Sequence, residues 1–340
     1  MKRLIPLCAA ALVVAVSLVA CSDDDGDSGG TTPAASSGLK VVTTVSPITS
    51  ISESIGGAMI ELEGIIPEGV NSHTFEPAPS VAGLISDADL IIMNGLSLEE
   101  PTLEMAEANK KDDAVILLVG DNTITEDEWK FDFSFPESEG HPNPHLWPNP
   151  LHGLTYAELI HEQLVALDPD NAAYYDANLA AFTAQIEDID ARMMTSTQTV
   201  PPENRKLLTY HDSWAYWAPR YGFEVVGAIQ PADFAEPSAQ EVAGLIDQVN
   251  ELGLPAIFGS EVFPSDVLEQ IAAETGAEYV DDLRDDDLPG APGDANHTYV
   301  GLMAENMRIM LPALGGNVDA FEGFDPSNVF EGKSGAVYPQ

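Results

Sequence analysis

Three histidines, His73, His145 and His211, stand at comparable places in a 340-residue chain that has seven histidines in all. Each follows a short apolar run rich in β-forming residues. His73 lies in NSHTFEPAPS after MIELEGII, His145 in GHPNPHLWPNPLHG after AVILLVG, and His211 directly after KLLTY. In open α/β sheets, ligand sites form outside the carboxyl ends of the strands. Imidazoles at such edges can converge, and neutral imidazole is the commonest metal ligand. One such histidine alone reads as a loop residue bonded to solvent or backbone, but three at equivalent edges point to a metal site. A fourth ligand is expected from the second half of the chain, where one carboxylate of DDLRDDDLPGAPGD can turn inward after the run AEYV. Proline fixes its own φ and restrains the residue before it, so the segment carrying His145 is stiff. His152, His161 and His297 read as surface residues, and His141 is left open.

The elements that must position these groups alternate. LKVVTTV, MIELEGII, DLIIMNG and AVILLVG read as strands, with helical stretches such as SPITSISESIGG and PTLEMAEANKK between them. KLLTY, FEVVGAIQ, PAIFGS and AEYV repeat the pattern, with HDSWAYWAPRYG as a short helix and SAQE as a capping box opening the next. Strands alternating with helices predict parallel sheets covered on both faces. The fold class is therefore α/β, with two lobes, each a mostly parallel sheet flanked by helices. The stretch NAAYYDANLAAFTAQIEDIDARMMTST, free of glycine and proline, predicts one long rigid helix joining them. The boundaries read as residues 39–153 for the first lobe, 154–200 for the linking segment and 201–314 for the second lobe. Residues 315–340 are turn-rich and have no assigned place.

Residues 1–21 combine two early positive charges with an apolar run ending in Leu18-Val19-Ala20-Cys21, which resembles a lipoprotein signal with Cys21 as the lipidated residue. Residues 22–38, acidic and small, read as a flexible tether. A lipidated Cys21 leaves the body without a disulfide or a thiolate metal site, because the other cysteine, Cys8, lies in the leader. The net charge of −43, from 13 basic against 56 acidic residues, excludes nucleic acid as a partner.

HTFEPAPS, NPHLWPNP, TYHDSWAYWAPRYG, EPSAQEVAGLI and RDDDLPG followed by HTYVGLMAENM occur in this order between Leu39 and Leu314. Together they resemble the metal-binding receptor lipoproteins of bacterial zinc and manganese ABC importers. The resemblance implies two α/β lobes with one metal ion between them, held by His73, His145, His211 and Asp286. It also implies extracytoplasmic anchoring through Cys21, delivery to the membrane subunit of an ABC permease, and action as a monomer without enzymatic activity. Three imidazoles and a carboxylate suit zinc first and manganese second. Where many zinc-binding members carry a histidine-rich loop, this chain has the acidic FDFSFPESEGH, residues 131–141. Two rival readings use the same residues. One is a secreted zinc hydrolase with Glu261 as general base, and the other is a surface adhesin.

Overall fold

Parallel strands buried on both faces need near-continuous apolar sequence, which LIIM and AIF supply, whereas IELEG alternates and is buried on one face. The computed structural model describes residues 38–340 apart from 233, 235, 263 and 264. The leader, Cys21 and nearly all of the tether therefore lie outside the described residues. In the first lobe β1 (Leu39–Thr43), β2 (Ile60–Gly64), β3 (Leu90–Met93) and β4 (Val115–Leu118) form a parallel sheet in the order β2-β1-β3-β4. Helices α1 (Ser46–Gly56), α2 (Val81–Asp87) and α3 (Glu100–Asn109) make the crossovers. After α4 (Pro150–Leu167) and α5 (Ala172–Thr197), the second lobe repeats the arrangement. Its strands β5 (Lys206–Thr209), β6 (Glu224–Ala228), β7 (Ala256–Phe258) and β8 (Glu278–Val280) run in the order β6-β5-β7-β8, all parallel. Its helices are α6 (Ala218–Tyr221), α7 (Ala239–Leu252) and α8 (Asp266–Thr275), and α9 (Tyr299–Ala313) closes the pattern.

The expected helix over HDSWAYWAPRYG shrinks to α6, preceded by turns. Pro219 explains this. It has no N–H and its ring crowds the carbonyl four residues back, so it fits the first turn of a helix and not its interior. The box at the start of α7 forms as read, with Ser238 and Glu241 each bonded to the other's backbone.

One continuous apolar core joins the lobes. It includes Val41 and Ile91 of the first sheet, Leu207 and Phe258 of the second, and Trp214 and Trp217 between β5 and α6. Helix α5, about 39 Å long at 1.5 Å per residue, contributes Tyr175, Phe182, Ile186, Ile189 and Met193 along one face. Helix α9 adds Met303, Met307 and Met310. Burying each such side chain stabilises by about 1.5–3 kcal/mol, so lobe separation on the scale of a loose hinge would expose costly surface. A smaller cluster, including Leu208, Ile257, Leu268 and Ile271, lies on the other face of the second sheet.

Residues 315–340 fold back on the first lobe. Val337 lies parallel to Glu63 at the open edge of β2 and bonds on both sides, to Leu62 and Gly64.

Candidate metal centre

His73 sits in a single 3-10 turn after β2, where Asn71 Oδ1 accepts its backbone N–H at 2.9 Å. His145 leaves the rigid proline segment fully buried, and His211 follows β5 with 4 % exposure. The structure brings all three together. His145 Nε2 lies 3.1 Å from His73 Nε2 and 3.0 Å from His211 Nε2. Four nitrogens at 2.0–2.1 Å around a tetrahedral ion stand about 3.3 Å apart, so the observed spacing is close to that of three corners. Burial, reinforced by His211, holds the His73 imidazole well below its usual pKa; burial with His211 and His73 does the same to His145. Both therefore stay neutral with a lone pair to give.

The tautomer of His145 is set by Asn143, a fully buried residue that sequence reasoning passed over. Asn143 Nδ2 donates to the Asp212 carbonyl at 2.6 Å, which leaves Oδ1 as the acceptor. That oxygen takes the His145 backbone N–H at 3.0 Å and its Nδ1–H at 2.7 Å. Nε2 is thereby left unprotonated, facing the other two rings. The only signal in the sequence was an Asn two residues before the histidine.

The acidic loop after β8 also turns inward. Asp285, Asp286 and Asp287 are all buried. Asp286 Oδ2 accepts from Ser72 Oγ at 2.6 Å, while its Oδ1 is buried with no hydrogen-bond partner among the described residues. Asp285 Oδ2 stands 3.7 Å from His211 Nε2. Asp287 Oδ2 takes the Gly69 N–H at 2.7 Å. Burial and the neighbouring Asp285 carboxylate push Asp286 up to about 6, and burial with Asp286 pushes Asp287 up to about 7. A divalent cation among them would relieve that repulsion. The donor atoms that lie within 4.8 Å of one another are those of the three histidines.

Glu261 is committed elsewhere. Its Oε1 accepts the backbone N–H groups of Asp285, Asp286 and Asp287 at 3.0, 3.2 and 3.1 Å. Burial and the Asp285 and Asp287 charges hold its pKa well above the carboxylate range. It shapes the acidic loop, which removes it as the general base of a hydrolase. The Trp147 indole N–H donates to the Asp285 carbonyl at 2.7 Å, pinning that loop to the His145 segment.

Aromatic rings cover the histidines. Phe135 lies 5.4 Å from His73 and 5.6 Å from His145, and Phe234 stacks on His73 at 4.7 Å. Phe135 arrives on the acidic loop 131–141, whose Ser134 bonds across to Asp212 and Gln230 of the second lobe. Asp132 on this loop faces Asp212; burial and the Asp212 charge push it up to about 9, so the pair keeps a proton.

The remaining histidines lie apart from this cluster. His141 is exposed and bonded to Ser97 Oγ at 2.9 Å, and His161 contacts Asp176 at 2.7 Å. His152 is half-buried against the Tyr216 ring. His297 corrects the surface reading. It is 3 % exposed, under the Tyr338 ring at 4.7 Å. The covering residue comes from the segment that had no assigned place, so its burial could not be anticipated locally.

Comparison with known proteins gives one consistent answer. A family profile described as the zinc-uptake complex component A, periplasmic, matches residues 41–313. The chain is 28% identical over 277 residues to the manganese-binding lipoprotein MntA of Halalkalibacterium halodurans, covering 82% of this chain and 89% of that protein. It is 31% identical over 265 residues to the iron-binding protein YfeA of Yersinia pestis, covering 78% of this chain and 82% of that one. Its fold matches the periplasmic zinc binding protein TroA of Treponema pallidum with a TM-score of 0.74 and 26% identity, over 82% of this chain and 99% of that structure.

Proposed function

Because the chain belongs to the family of the periplasmic component A of zinc-uptake complexes, we propose that it captures zinc between its two lobes and hands it to the membrane subunit of an ABC permease. It is a metal-binding, non-enzymatic substrate-binding component of an ABC importer. The names of its relatives divide among manganese, iron and zinc, so the choice of ion rests on this chain's own donors. The convergence of three imidazole Nε2 atoms, with those of His73 and His211 at 3.0–3.1 Å from that of His145, carries the reading. Three nitrogens and one carboxylate suit four-coordinate zinc, which also exceeds manganese in the Irving–Williams order. His73, His145 and His211 are the proposed imidazole ligands, and Asp286 is the proposed fourth. Manganese is the second reading, favoured by the approach of Asp285 to the same His211, since added oxygen ligands suit that ion.

Metal that binds only the folded chain stabilises it by RT ln(1 + [L]/Kd), about 4 kcal/mol at a thousandfold excess over Kd. Chelator-stripped protein should therefore melt at a clearly higher temperature with zinc and gain less from manganese. No rise with either ion would overturn the proposal. We further propose that the protein works as a monomer held to the outer face of the membrane by lipid on Cys21. Cys21→Ala should leave a folded, metal-binding body in the soluble fraction, and a wild-type chain equally soluble in its host would refute the anchor.

A further inference from the structure

The family profile ends at residue 313, yet the residues that follow are bonded across much of the molecule. Leaving α9, they run along α5, where Gln185 donates to the Ser327 carbonyl at 3.0 Å and the Tyr174 hydroxyl to Glu331 at 2.6 Å. They then reach the first sheet. Val337 donates to Leu62 and accepts from Gly64, both at 2.9 Å, adding a short parallel partner to the open edge of β2. The Pro339 carbonyl takes the Glu68 N–H at 3.2 Å, and Gln340 donates to Glu68 Oε2 at 3.0 Å.

Between these bonds, Tyr338 faces the other way. Its ring packs with Leu288 and Leu302 and lies over His297, and its hydroxyl donates to Glu53 Oε2 of α1 at 2.7 Å. The placement matters because of what each contact adjoins. The end of β2 and residue 68 lead into the turn that carries His73, while Leu288 stands two residues beyond Asp286. Glu68 links the two, since its Oε1 accepts the Leu288 N–H at 3.3 Å while its Oε2 is bonded to Gln340.

We propose that residues 315–340 are a strap joining the lobes, with Val337 and Pro339 bonded to the backbone that leads to His73 and Tyr338 packed on Leu288 beside Asp286, and that this strap sets how slowly a captured metal ion leaves. The inference rests on the metal-capture reading above. No strap residue is a ligand. Release requires the His73 turn and the acidic loop to part, and their parting breaks the strap's contacts on one side or the other. The strap thus slows release without adding to the coordination sphere, and Tyr338 is a positioning residue.

The test compares the full chain with a chain ending at Ser334, with Tyr338→Ala and with Tyr338→Phe. Ile271→Ala, in the separate apolar cluster of the second lobe, serves as a destabilised control. Each is loaded with zinc and chased with excess EDTA, and release is followed alongside the melting temperature of the metal-free protein. The shortened chain and Tyr338→Ala should release zinc at least tenfold faster. Tyr338→Phe, which keeps the ring, should stay within about threefold of wild type, and Ile271→Ala should melt lower yet release at the wild-type rate. Wild-type release from both the shortened chain and Tyr338→Ala overturns the strap, as does equal acceleration in Ile271→Ala. A full chain that loads neither zinc nor manganese overturns the capture reading and the strap with it.

Discussion

Asn143→Ala removes no ligand, yet it should weaken metal binding by a predictable amount. Asn143 Oδ1 accepts the Nδ1–H of His145 and so holds Nε2 as the free lone pair. Without that acceptor the ring can carry its proton on either nitrogen and can turn. Losing such an outer partner costs about 10–100-fold in metal affinity, which is about 1.4–2.8 kcal/mol at 1.4 kcal/mol per tenfold. Folding stability should fall as well. The change deletes the bonds to His145 N, to His145 Nδ1 and to the Asp212 carbonyl, all at a fully buried residue. At about 0.5–1.5 kcal/mol each, the loss is roughly 1.5–4.5 kcal/mol. The two effects are separable, because affinity is measured against the folded, metal-free protein. Zinc competition with a chelator of known affinity gives the first, and calorimetry of metal-free protein gives the second. An unchanged zinc Kd, within twofold of wild type, in a variant that is folded would refute the tautomer argument, whatever its melting temperature.

The ligand set should divide sharply: His73→Ala, His145→Ala, His211→Ala and Asp286→Ala each lose most zinc affinity in calorimetric titration, whereas His141→Ala and His161→Ala bind as wild type does. Single alanine variants at 285, 286 and 287 locate the carboxylate ligand, and the Asp286 assignment fails if that variant binds normally while Asp285→Ala does not. Burial raises Glu99 to about 7 from an ordinary 4.5, against the donors Thr44, Asn94 and Gly95 that favour its charge. A raised folded-state pKa means stability present below about 4.5 and lost as pH rises through about 7, up to about 3 kcal/mol. Relative to Glu99→Gln, then, wild-type stability should decline between pH 5 and 8, and parallel pH profiles would contradict this. With a net charge of −43, the metal-free protein should melt higher at 1 M than at 0.1 M sodium chloride, as screening relieves self-repulsion; a flat response would show that the acidic surface is not a source of strain.

What the sequence determined by itself was local in origin. The runs that became β1 to β8 are short and either apolar or alternating, and the stretches between them have helical period, so element types and the α/β class follow from spacing along the chain. Placement of His73, His145 and His211 in the segments that follow β2, β4 and β5 came from the same pattern, because the carboxyl edge of a parallel strand is a property of chain direction. The proline at 219 shows the limit even there. Helical composition from His211 onward suggested a longer helix than one proline allowed.

Tertiary structure alone decided what meets across the chain. Asn143 reaches Asp212 over 69 residues and Ser72 reaches Asp286 over 214, and neither bond leaves a trace in local periodicity. Glu261 looked like a free carboxylate after a strand, yet the backbone of a loop 24 residues away consumes its oxygen. His297 and residues 315–340 were unreadable for the same reason, since each is ordered by the other and by the edge of β2. Such contacts exist because α5 and α9 pack both sheets into one core, and that packing brings together loops whose sequences carry no mark of one another.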